Sequence, residues 1–392
     1  MPPVFWLSSL FALFYFSYGV YLPYWSLWLS HVGVHADVIG VLLGLGMAAR
    51  CVGNLLVMSR IRRAQHLLPA VRWLAWLSLL SFAAFYLNQS LLALTLLMIG
   101  VNVIYSALMP LNEAVASRLV VQVQLDYGKA RLWGSVAFIG ANIVVGSLTS
   151  QWGNQWILHI MVMALAALWL MSLLPMTPSP VDLHGERQGD SVLQVWRRPQ
   201  IKRFIVIVAL LQGSHAVYYG FSALYWQSQG YATSTIGYLW GLGVLAEIGV
   251  LAMNRRWFEA MTARTLLLSG AACALLRWGI LGATTDITWL IMAQLLHAGS
   301  FCLSHLGAMR YISRDLDAEA VIGAQALYGA LAMGLTVALL LVASGQLYPT
   351  LGGQLFWLMA AIILPACWLL RRPLPGSTKR PAPSLNIQPV HR

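Results

Sequence analysis

The chain has 392 residues, of which 59% are hydrophobic and only 9% are charged. About a quarter of the residues of a soluble globular protein are charged, so this composition excludes an ordinary soluble domain. The formal net charge of +12 does not indicate nucleic-acid binding, because the basic residues are distributed as in a membrane protein.

Twelve apolar runs follow one another along the chain, each about the 20 residues that cross the hydrocarbon core of a bilayer as a helix. They cover approximately residues 5–29, 38–58, 67–87, 90–116, 131–151, 156–174, 204–229, 236–254, 264–283, 287–312, 320–347 and 352–370. The first run is too long for the apolar part of a signal peptide and lacks a small-residue cleavage site, so we expect it to remain as a span. The sequence therefore predicts an all-α membrane protein with twelve transmembrane helices, numbered here as spans 1 to 12.

The hydrophilic stretch 175–203 separates the first six spans from the last six. It begins with Pro175, Pro178 and Pro180, continues with DLHGERQGD and ends with WRRPQIKR, a composition typical of a linker. We predict an N-terminal six-helix half (1–174), this linker, a C-terminal six-helix half (204–371) and a tail (372–392).

The two halves repeat each other in sequence. The segment IGVLLGLGMAAR (39–50) of span 2 matches IGYLWGLGVLAE (236–247) of span 8, with the glycines in register and Arg50 opposite Glu247. Shorter matches link span 1 to span 7 and span 5 to span 11. Because six spans are an even number, both halves begin on the same side of the membrane, which gives a parallel repeat about a pseudo-twofold axis along the membrane normal. We expect close backbone packing at the glycines of spans 2 and 8.

The basic residues predict the orientation of the chain. Of the 24 Lys and Arg residues, all but Arg50 and Arg277 lie in alternate loops, at the adjoining span ends or in the C-terminal tail. Loops with an excess of Lys and Arg face the cytoplasm. This pattern places both termini and the linker in the cytoplasm.

Ionisable side chains inside the spans are the strongest functional signal. Such a group in mid-bilayer costs roughly 2.5–3.5 kcal/mol on insertion scales, so we expect each one to face the bundle interior or water. The candidates in spans or at a span start are Arg50, Glu113, Arg131, His159, His215, Glu247, Arg277, His297 and His305. The alternative for each is a structural ion pair or a side chain that reaches the interface, and we favour that alternative for His159.

Steps of three and four residues place polar and aromatic side chains on one face of three spans, where we expect them to line a cavity. The faces are Gln212, His215, Tyr219, Ser222 and Trp226 in span 7, Tyr18, Tyr21, Trp25 and Trp28 in span 1, and His297, Ser300 or Phe301, and Ser304 or His305 in span 10. The competing interpretation is an aromatic belt at the membrane interface, which we favour for Trp28, Trp152 and Trp156.

Motifs of soluble enzymes are missing from the sequence. It has no nucleotide-binding GxxxxGKS/T loop and no HExxH or GxSxG motif. The four cysteines lie in predicted spans without CxxC spacing, which indicates buried, unpaired thiols. The histidines in the spans lack metal-ligand spacing. We therefore expect no enzymatic activity, no cofactor and no metal.

Four segments carry a family resemblance. YGVYLPYWSLWL (18–29), LDYGKARLWGSVAF (125–138), SHAVYYGFSALYWQSQGY (214–231) and AMRYI (308–312) resemble the phenylpropionate permease family of the major facilitator superfamily. The resemblance covers about residues 5–370. It implies a major facilitator fold, a location in the bacterial inner membrane and proton-coupled uptake of 3-phenylpropionate.

The more distant lactose permease group implies further site residues. The positions that hold the sugar or serve binding and proton coupling in that group match Glu113, Arg131, Glu247, Arg277 and His297. The chain departs from the group at Ser300, where a second acid is expected, and at Arg50, which has no charged counterpart in the sugar carriers. The superfamily's loop motif between helices 2 and 3 is reduced to SRIRRAQ.

These observations predict a secondary transporter that moves an aromatic monocarboxylate inward together with a proton. A guanidinium suits a carboxylate, and our first choice is Arg50, with Arg131 or Arg277 as the alternative. Aromatic side chains suit the phenyl ring of such a substrate. Those we expect to contact it are Tyr18, Tyr219 and Trp226.

The proton carrier needs a group whose pKa changes with its access to water. We expect Glu247 to face Arg50 across the pseudo-twofold axis and to take this role, with His215 and His297 as second candidates. The expected partners are the small-molecule substrate, the proton and membrane lipid, without nucleic acid, and the expected state is a monomer.

Three alternatives remain open from the sequence. The first alternative is a carrier of the same kind that transports a neutral sugar or nucleoside, held by Glu113 and Arg131. A second alternative is a membrane-embedded enzyme or redox protein that uses the buried histidines. The third is export instead of uptake, because a carrier of this kind is reversible.

Overall fold

The computed structural model describes residues 1–61, 63–182 and 191–374, and within these ranges the regular elements are helices without a β-strand. The polar centre of the predicted linker, residues 183–190, lies outside the described residues. The same holds for residues 375–392, which form most of the predicted tail.

Six long apolar helices precede the linker and six follow it. The first six are α1 (Pro3–His31), α2 (Ala36–Arg60), α3 (Ala64–Tyr86), α4 (Leu91–Val123), α5 (Tyr127–Trp152) and α6 (Trp156–Leu173). The second six are α7 (Pro199–Ser228), α8 (Thr233–Met253), α9 (Ala263–Ala283), α10 (Ile287–Asp315), α11 (318–351) and α12 (Leu355–Leu369). A short helix, Val192–Arg197, lies in the linker.

The described part of the chain contains eleven helical segments that are long and apolar enough to span a membrane. The last of them, Ala318–Leu369, has 52 residues. As a straight helix it would be about 78 Å long, more than twice the hydrocarbon thickness of a bilayer. The backbone instead turns at Gly352, where φ is +49°, so this segment forms the two crossings α11 and α12. The prediction of twelve transmembrane helices is confirmed.

Several helices are irregular, including α11, which contains a π-helical stretch, Tyr328–Leu335. Helix α4 is interrupted between Tyr105 and Leu108, and α7 is interrupted between Gly213 and Ala216. Helix α10 contains a π-helical turn, Ala298–Leu303. Such irregularities change the helical phase of the residues that follow them.

The distribution of polarity is that of a membrane protein. Large apolar side chains face outward, and Trp73 and Leu92 expose 63% and 70% of their surface. Arg277 and His215, in contrast, are completely buried inside the bundle. Lipid solvates the outer apolar surface, whereas a charge in the hydrocarbon is costly unless the protein surrounds it.

Glycines of the repeated segment bring the two halves together on one side of the bundle. Gly40 of α2 packs against Gly345 of α11, and a Cβ atom at Gly40 would lie 2.7 Å from the carbonyl oxygen of Leu341. Gly237 of α8 packs in the same way against the carbonyl group of Asn142 in α5. The predicted close packing of helices 2 and 8 is confirmed, and it joins α2 to α11 and α5 to α8.

The chain ends and the linker lie on the other side of the bundle, which we call the terminal side. The amino group of Met1 donates to the carbonyl oxygen of Pro175 at 2.8 Å, and Arg203 donates to that of Pro373 at 3.1 Å. Successive helices alternate in direction, so the glycine contacts near the start of α2 and α8 lie on the side opposite to the terminal side.

The α2–α11 contact predicts a steric effect at Gly40. We expect Gly40→Val to destabilise the protein by about 1–3 kcal/mol, the range for overpacking a tight interface, because the new side chain forces the two helices apart. The measurement is the midpoint of thermal unfolding of the purified protein in one detergent. Gly100→Val is the matched control, since nothing lies within 4 Å of a Cβ atom at Gly100. Equal midpoints for the two variants would contradict the contact.

Candidate functional site

A cavity of about 1350 Å³ lies between the two halves. Its wall consists of α1, α2, α4 and α5 from the first half and α7, α8, α10 and α11 from the second. On the terminal side it reaches the helix ends, where Ser59, Gly128 and Ala252 line it. On the opposite side the α2–α11 and α5–α8 contacts hold the halves together. The structure is thus open on the terminal side and closed on the other.

Arg50 of α2 lines this cavity and is half-buried. One guanidinium nitrogen, Nη1, donates to the hydroxyl of Tyr18 at 3.4 Å, and Nη2 lies 3.4 Å from the sulfur of Met109. Among the described residues, no carboxylate lies within ion-pair distance of Arg50. The cavity therefore contains a cation that has no counter-ion among the described residues.

A second basic residue of the cavity, Arg131, is paired. Its Nε atom lies 3.6 Å from Oε1 of Glu113, and Oε2 of the same carboxylate accepts a hydrogen bond from the hydroxyl of Tyr127 at 2.8 Å. The guanidinium carbon of Arg131 lies 3.8 Å from the centre of the Tyr15 ring. The structure thus brings Glu113 and Arg131 together at the cavity wall, as the lactose permease comparison implied.

The third charged position of the cavity, Glu247, has its partner within its own half. Glu247 lines the cavity, but its carboxylate Oε1 lies 2.7 Å from Nε2 of His297 and forms no ion pair with Arg50. The side chains of Glu247 and His297 are 20% and 6% exposed, and Nδ1 of His297 has no hydrogen-bond partner among the described residues. The short contact between Nε2 and Oε1 requires one proton between these atoms, so the two residues form one unit that shares it.

Arg277 does not line the cavity. Its guanidinium carbon lies 4.1 Å from the centre of the Tyr218 ring and 4.6 Å from that of Trp278, and its Nε donates to the carbonyl oxygen of Ala293 at 3.0 Å. Two ring faces and a carbonyl group stabilise the charge. Arg277, our alternative partner for a carboxylate, thus lies behind the cavity wall and supports the ring of Tyr218.

Helix α7 contributes only part of its predicted face to the cavity. Gln212 and Tyr219 line it. The members that are buried in protein instead are His215, Ser222 and Trp226. His215 lies at the interruption between Gly213 and Ala216, whereas Ser222 and Trp226 follow Tyr219 in the continuous helix Ala216–Ser228 and lie nearer the closed side, where protein packs around them. His215 and Trp226, which we predicted at the site, therefore do not reach the cavity.

The sequence left two alternative faces of α10 open, and the structure places the one with Phe301 and His305 at the cavity. His297, Phe301 and His305 line the cavity, and the ring planes of Phe301 and His305 are 6° apart at a centroid distance of 6.2 Å. Ser300 and Ser304 are buried, and the Ser300 hydroxyl lies 3.3 Å from Nε2 of His215.

Helix α1 also presents a different face from the predicted one. Tyr15, Tyr18 and Leu22 line the cavity. Tyr21 and Trp25, both in the predicted stripe, pack instead against Phe82 of α3, at centroid distances of 5.9 and 5.2 Å. The stripe follows a helical period, but the period alone does not say whether its face meets a cavity or another helix.

Several aromatic residues of the cavity wall escaped the sequence analysis, among them Tyr218 and Trp240. The rings of Tyr218 and Trp240 are stacked at a centroid distance of 4.3 Å and line the cavity beside Tyr219. Trp240 occupies the repeat position that Leu43 holds in α2. The two repeats differ at this position, as they do at Arg50 and Glu247. This difference was the sequence signal that could have identified Trp240 as a cavity residue.

The remaining histidine of the spans lies away from the cavity. His159 is exposed on the outer face of α6 and its Nδ1 lies 3.0 Å from the carbonyl oxygen of Gln155, which agrees with the structural role that we favoured for it. Among the described residues, no group of three His, Cys, Asp or Glu side chains is arranged to hold a metal ion.

Comparison with known proteins gives consistent matches along the chain. The model of the MFS_1 like family matches residues 4–359. The chain is 42% identical over 378 residues to the probable 3-phenylpropionic acid transporter of Escherichia coli (strain K12), covering 95% of this chain and 98% of that protein. It is 25% identical over 338 residues to the maltose permease of Geobacillus stearothermophilus, covering 84% of each.

Solved structures agree with the fold. A crystal structure of the nucleoside transporter NupG superposes with a TM-score of 0.79 at 16% identity, covering 95% of this chain and 98% of that one. At this identity the similarity concerns the fold alone.

Proposed function

The chain belongs to the MFS_1 like family and is a multi-pass membrane transporter, and we propose that it carries an aromatic monocarboxylate such as 3-phenylpropionate into the cell together with a proton. The relative of 42% identity, named as a probable 3-phenylpropionic acid transporter, supports this substrate class. The observation that carries the proposal is the guanidinium of Arg50, which lies in the cavity wall and has no carboxylate partner in the described part of the chain.

Arg50 suits the carboxylate end of the substrate. A guanidinium offers a planar pair of N–H donors and a permanent charge, which match a carboxylate in a bidentate arrangement. A cation inside a membrane protein is costly without a counter-ion, so a bound carboxylate relieves a cost that the empty cavity carries. The hydroxyl of Tyr18, 3.4 Å from Nη1, helps to hold the guanidinium in place.

Aromatic side chains suit the ring end of the substrate. Tyr18 of the first half and Tyr219, Tyr218 and Trp240 of the second line the same cavity. Offset-stacked and edge-to-face contacts with such rings stabilise a phenyl group beyond the area that it buries. Since the rings come from both halves, a bound substrate contacts both sides of the cavity at once.

The charges of the cavity account for coupling to one proton. The ionisable groups other than tyrosine and cysteine that line it are Arg50, Glu113, Arg131, Glu247, His297 and His305. With neutral histidines, two cations balance two anions. A carboxylate alone adds a negative charge, whereas a carboxylate and a proton together restore neutrality. A net charge is costly once the cavity is closed to water on both sides, so the empty and the fully loaded forms are the ones that cross between the two orientations.

The unit of Glu247 and His297 is the proposed proton site. In the empty cavity one proton on Nε2 serves both groups, and the pair carries one negative charge. A second proton neutralises the pair when the carboxylate binds Arg50. His297 thus acts together with Glu247 in this scheme, whereas His215 is separated from the cavity by the wall.

Direction and location follow from the basic residues. We infer that the terminal side, with its Lys and Arg residues, faces the cytoplasm, so both termini are cytoplasmic and the structure faces inward. The halves 1–174 and 204–371 then rock about the substrate as two units in a bacterial inner membrane, with the linker 175–203 and the tail 372–392 in the cytoplasm.

The second candidate cargo is a neutral sugar or nucleoside. The Glu113–Arg131 pair and the hydroxyl of Tyr127 line the cavity and offer both donors and acceptors. Inhibition of uptake by glucosides or nucleosides, without inhibition by arylpropionates, would favour this alternative over the aromatic acid.

Removal of the Arg50 charge tests the substrate site. We expect Arg50→Gln to raise the KM for uptake of labelled 3-phenylpropionate into membrane vesicles about 10- to 100-fold, because a hydrogen bond to a charged group contributes about 1.5–3 kcal/mol. Arg50→Lys should give an intermediate value, since an ammonium keeps the charge but not the paired donors.

Lys129→Gln is the control for Arg50→Gln. It removes one positive charge from the same half at a side chain that is 83% exposed, and it should leave the KM unchanged. Equal KM values for Arg50→Gln and Lys129→Gln would exclude Arg50 as the carboxylate partner.

Removal of the Glu247 charge tests the coupling. We expect Glu247→Gln to exchange labelled for unlabelled substrate across the membrane but to lose accumulation driven by a pH gradient, because the amide is neutral with and without the gradient. Both activities are measured in proteoliposomes.

Glu113→Gln is the matched variant at the other cavity carboxylate, and it should still accumulate substrate. Accumulation by Glu247→Gln with an unchanged proton stoichiometry would clear Glu247 of the role, and loss of accumulation in Glu113→Gln alone would move the proton site to Glu113.

A further inference from the structure

His305 is a polar residue of the cavity that the proposed function leaves without a role. It lies on α10 and is half-buried. Its Nδ1 lies 2.9 Å from the hydroxyl oxygen of Tyr328, and the same hydroxyl oxygen lies 3.2 Å from Nε2 of Gln212. Gln212, Tyr328 and His305 thus form one chain of hydrogen bonds that ends at the cavity.

The direction of this chain follows from the chemistry of its members. The side-chain nitrogen of Gln212 only donates, so the oxygen of Tyr328 accepts from it. The hydroxyl hydrogen of Tyr328 then has Nδ1 of His305 as its acceptor, and a buried hydroxyl without an acceptor is costly. Nδ1 is therefore the unprotonated nitrogen of His305, and the ring proton is on Nε2.

The Nε2–H group of His305 has no hydrogen-bond partner among the described residues. Tyr328, on the Nδ1 side of the ring, is buried and does not line the cavity, whereas His305 does. The edge of the imidazole ring that carries Nε2 therefore faces the cavity. Stacking against Phe301, with ring planes 6° apart, holds the orientation of the imidazole.

The donor and the guanidinium of Arg50 line the same cavity, His305 from the second half and Arg50 from the first. The proposed substrate, with its carboxylate on Arg50, therefore has His305 as a candidate partner for its other end.

We propose that His305 donates a hydrogen bond to an oxygen atom on the aromatic ring of the substrate, so that arylpropionates with a hydroxyl or methoxy group on the ring are preferred over the unsubstituted acid. The inference rests on the proposed function, since it concerns the ring of the same substrate. It identifies His305 as a specificity-determining residue and ring-oxygenated phenylpropionates as the preferred substrate class.

The test compares KM values for uptake of 3-phenylpropionate with those of its ring-hydroxylated and ring-methoxylated derivatives, at the ortho, meta and para positions. For wild type we expect at least one position at which both the hydroxyl and the methoxy compound have a KM about 3- to 10-fold lower, the effect of one neutral hydrogen bond. A methoxy oxygen only accepts, so equal gains from both substituents identify His305 as the donor. The ratio should fall to about one in His305→Phe and decrease in Tyr328→Phe, which releases Nδ1.

His159→Phe is the matched control, because it makes the same replacement on the outer face of α6, and it should retain the wild-type ratio. A ratio of about one in wild type, or a ratio that persists in His305→Phe, would overturn the assignment of His305 while leaving uptake of 3-phenylpropionate in place. If wild type takes up none of these acids, the proposed function and the inference both fall.

Discussion

The guanidinium of Arg50, which lines the cavity and has no counter-ion among the residues that the structure describes, is the constraint on which our account of this transporter depends. Arg50 contacts the hydroxyl of Tyr18 and the sulfur of Met109, whereas Arg131 is paired with Glu113. A charge in a desolvated site is costly unless it is paired. The proposed carboxylate substrate supplies the missing partner, and the Glu247–His297 unit then takes a proton so that the loaded cavity remains neutral. Binding, proton coupling and the change of orientation are in this account consequences of one charge balance.

The repeated segment connects the charge balance of the cavity to the helix contacts that close one side of it. In α2, Gly40 lies at the contact that closes one side, and Arg50 lies ten residues further along the same helix, in the cavity. In α8, Gly237 and Glu247 are placed in the same way. The two helices that carry opposite charges into the cavity thus also form the contacts that must separate when the other side opens. Movement of either helix changes the surroundings of its charge, which is the physical requirement for coupling.

Much of the fold follows from the sequence, and less of the site does. The length of the apolar runs predicted twelve helices, and the glycine repeat predicted close packing at helices 2 and 8, because both depend on local composition. The partners of these helices, α11 and α5, were not predicted and come from the structure. The cost of a charge in lipid located Arg50, Glu113, Glu247 and His297 in the cavity. The assignment of Trp226 and His215 to the cavity failed because His215 lies at the interruption of α7 and Trp226 lies two turns beyond Tyr219, toward the closed side, where both side chains are buried in protein. The pairing of Glu247 with His297, like the position of Arg277 behind Tyr218, depends on tertiary contacts that no spacing within one helix specifies.

The charge balance of the cavity is tested most directly by the electrical response of transport. Proteoliposomes that contain the wild-type protein are given either a pH gradient or a potassium diffusion potential of equal driving force, and uptake of labelled 3-phenylpropionate is measured together with the current. Entry of one carboxylate with one proton predicts accumulation in response to the pH gradient, no response to the potential and no substrate-induced current. A substrate-induced current, or accumulation driven by the potential alone, would contradict the account.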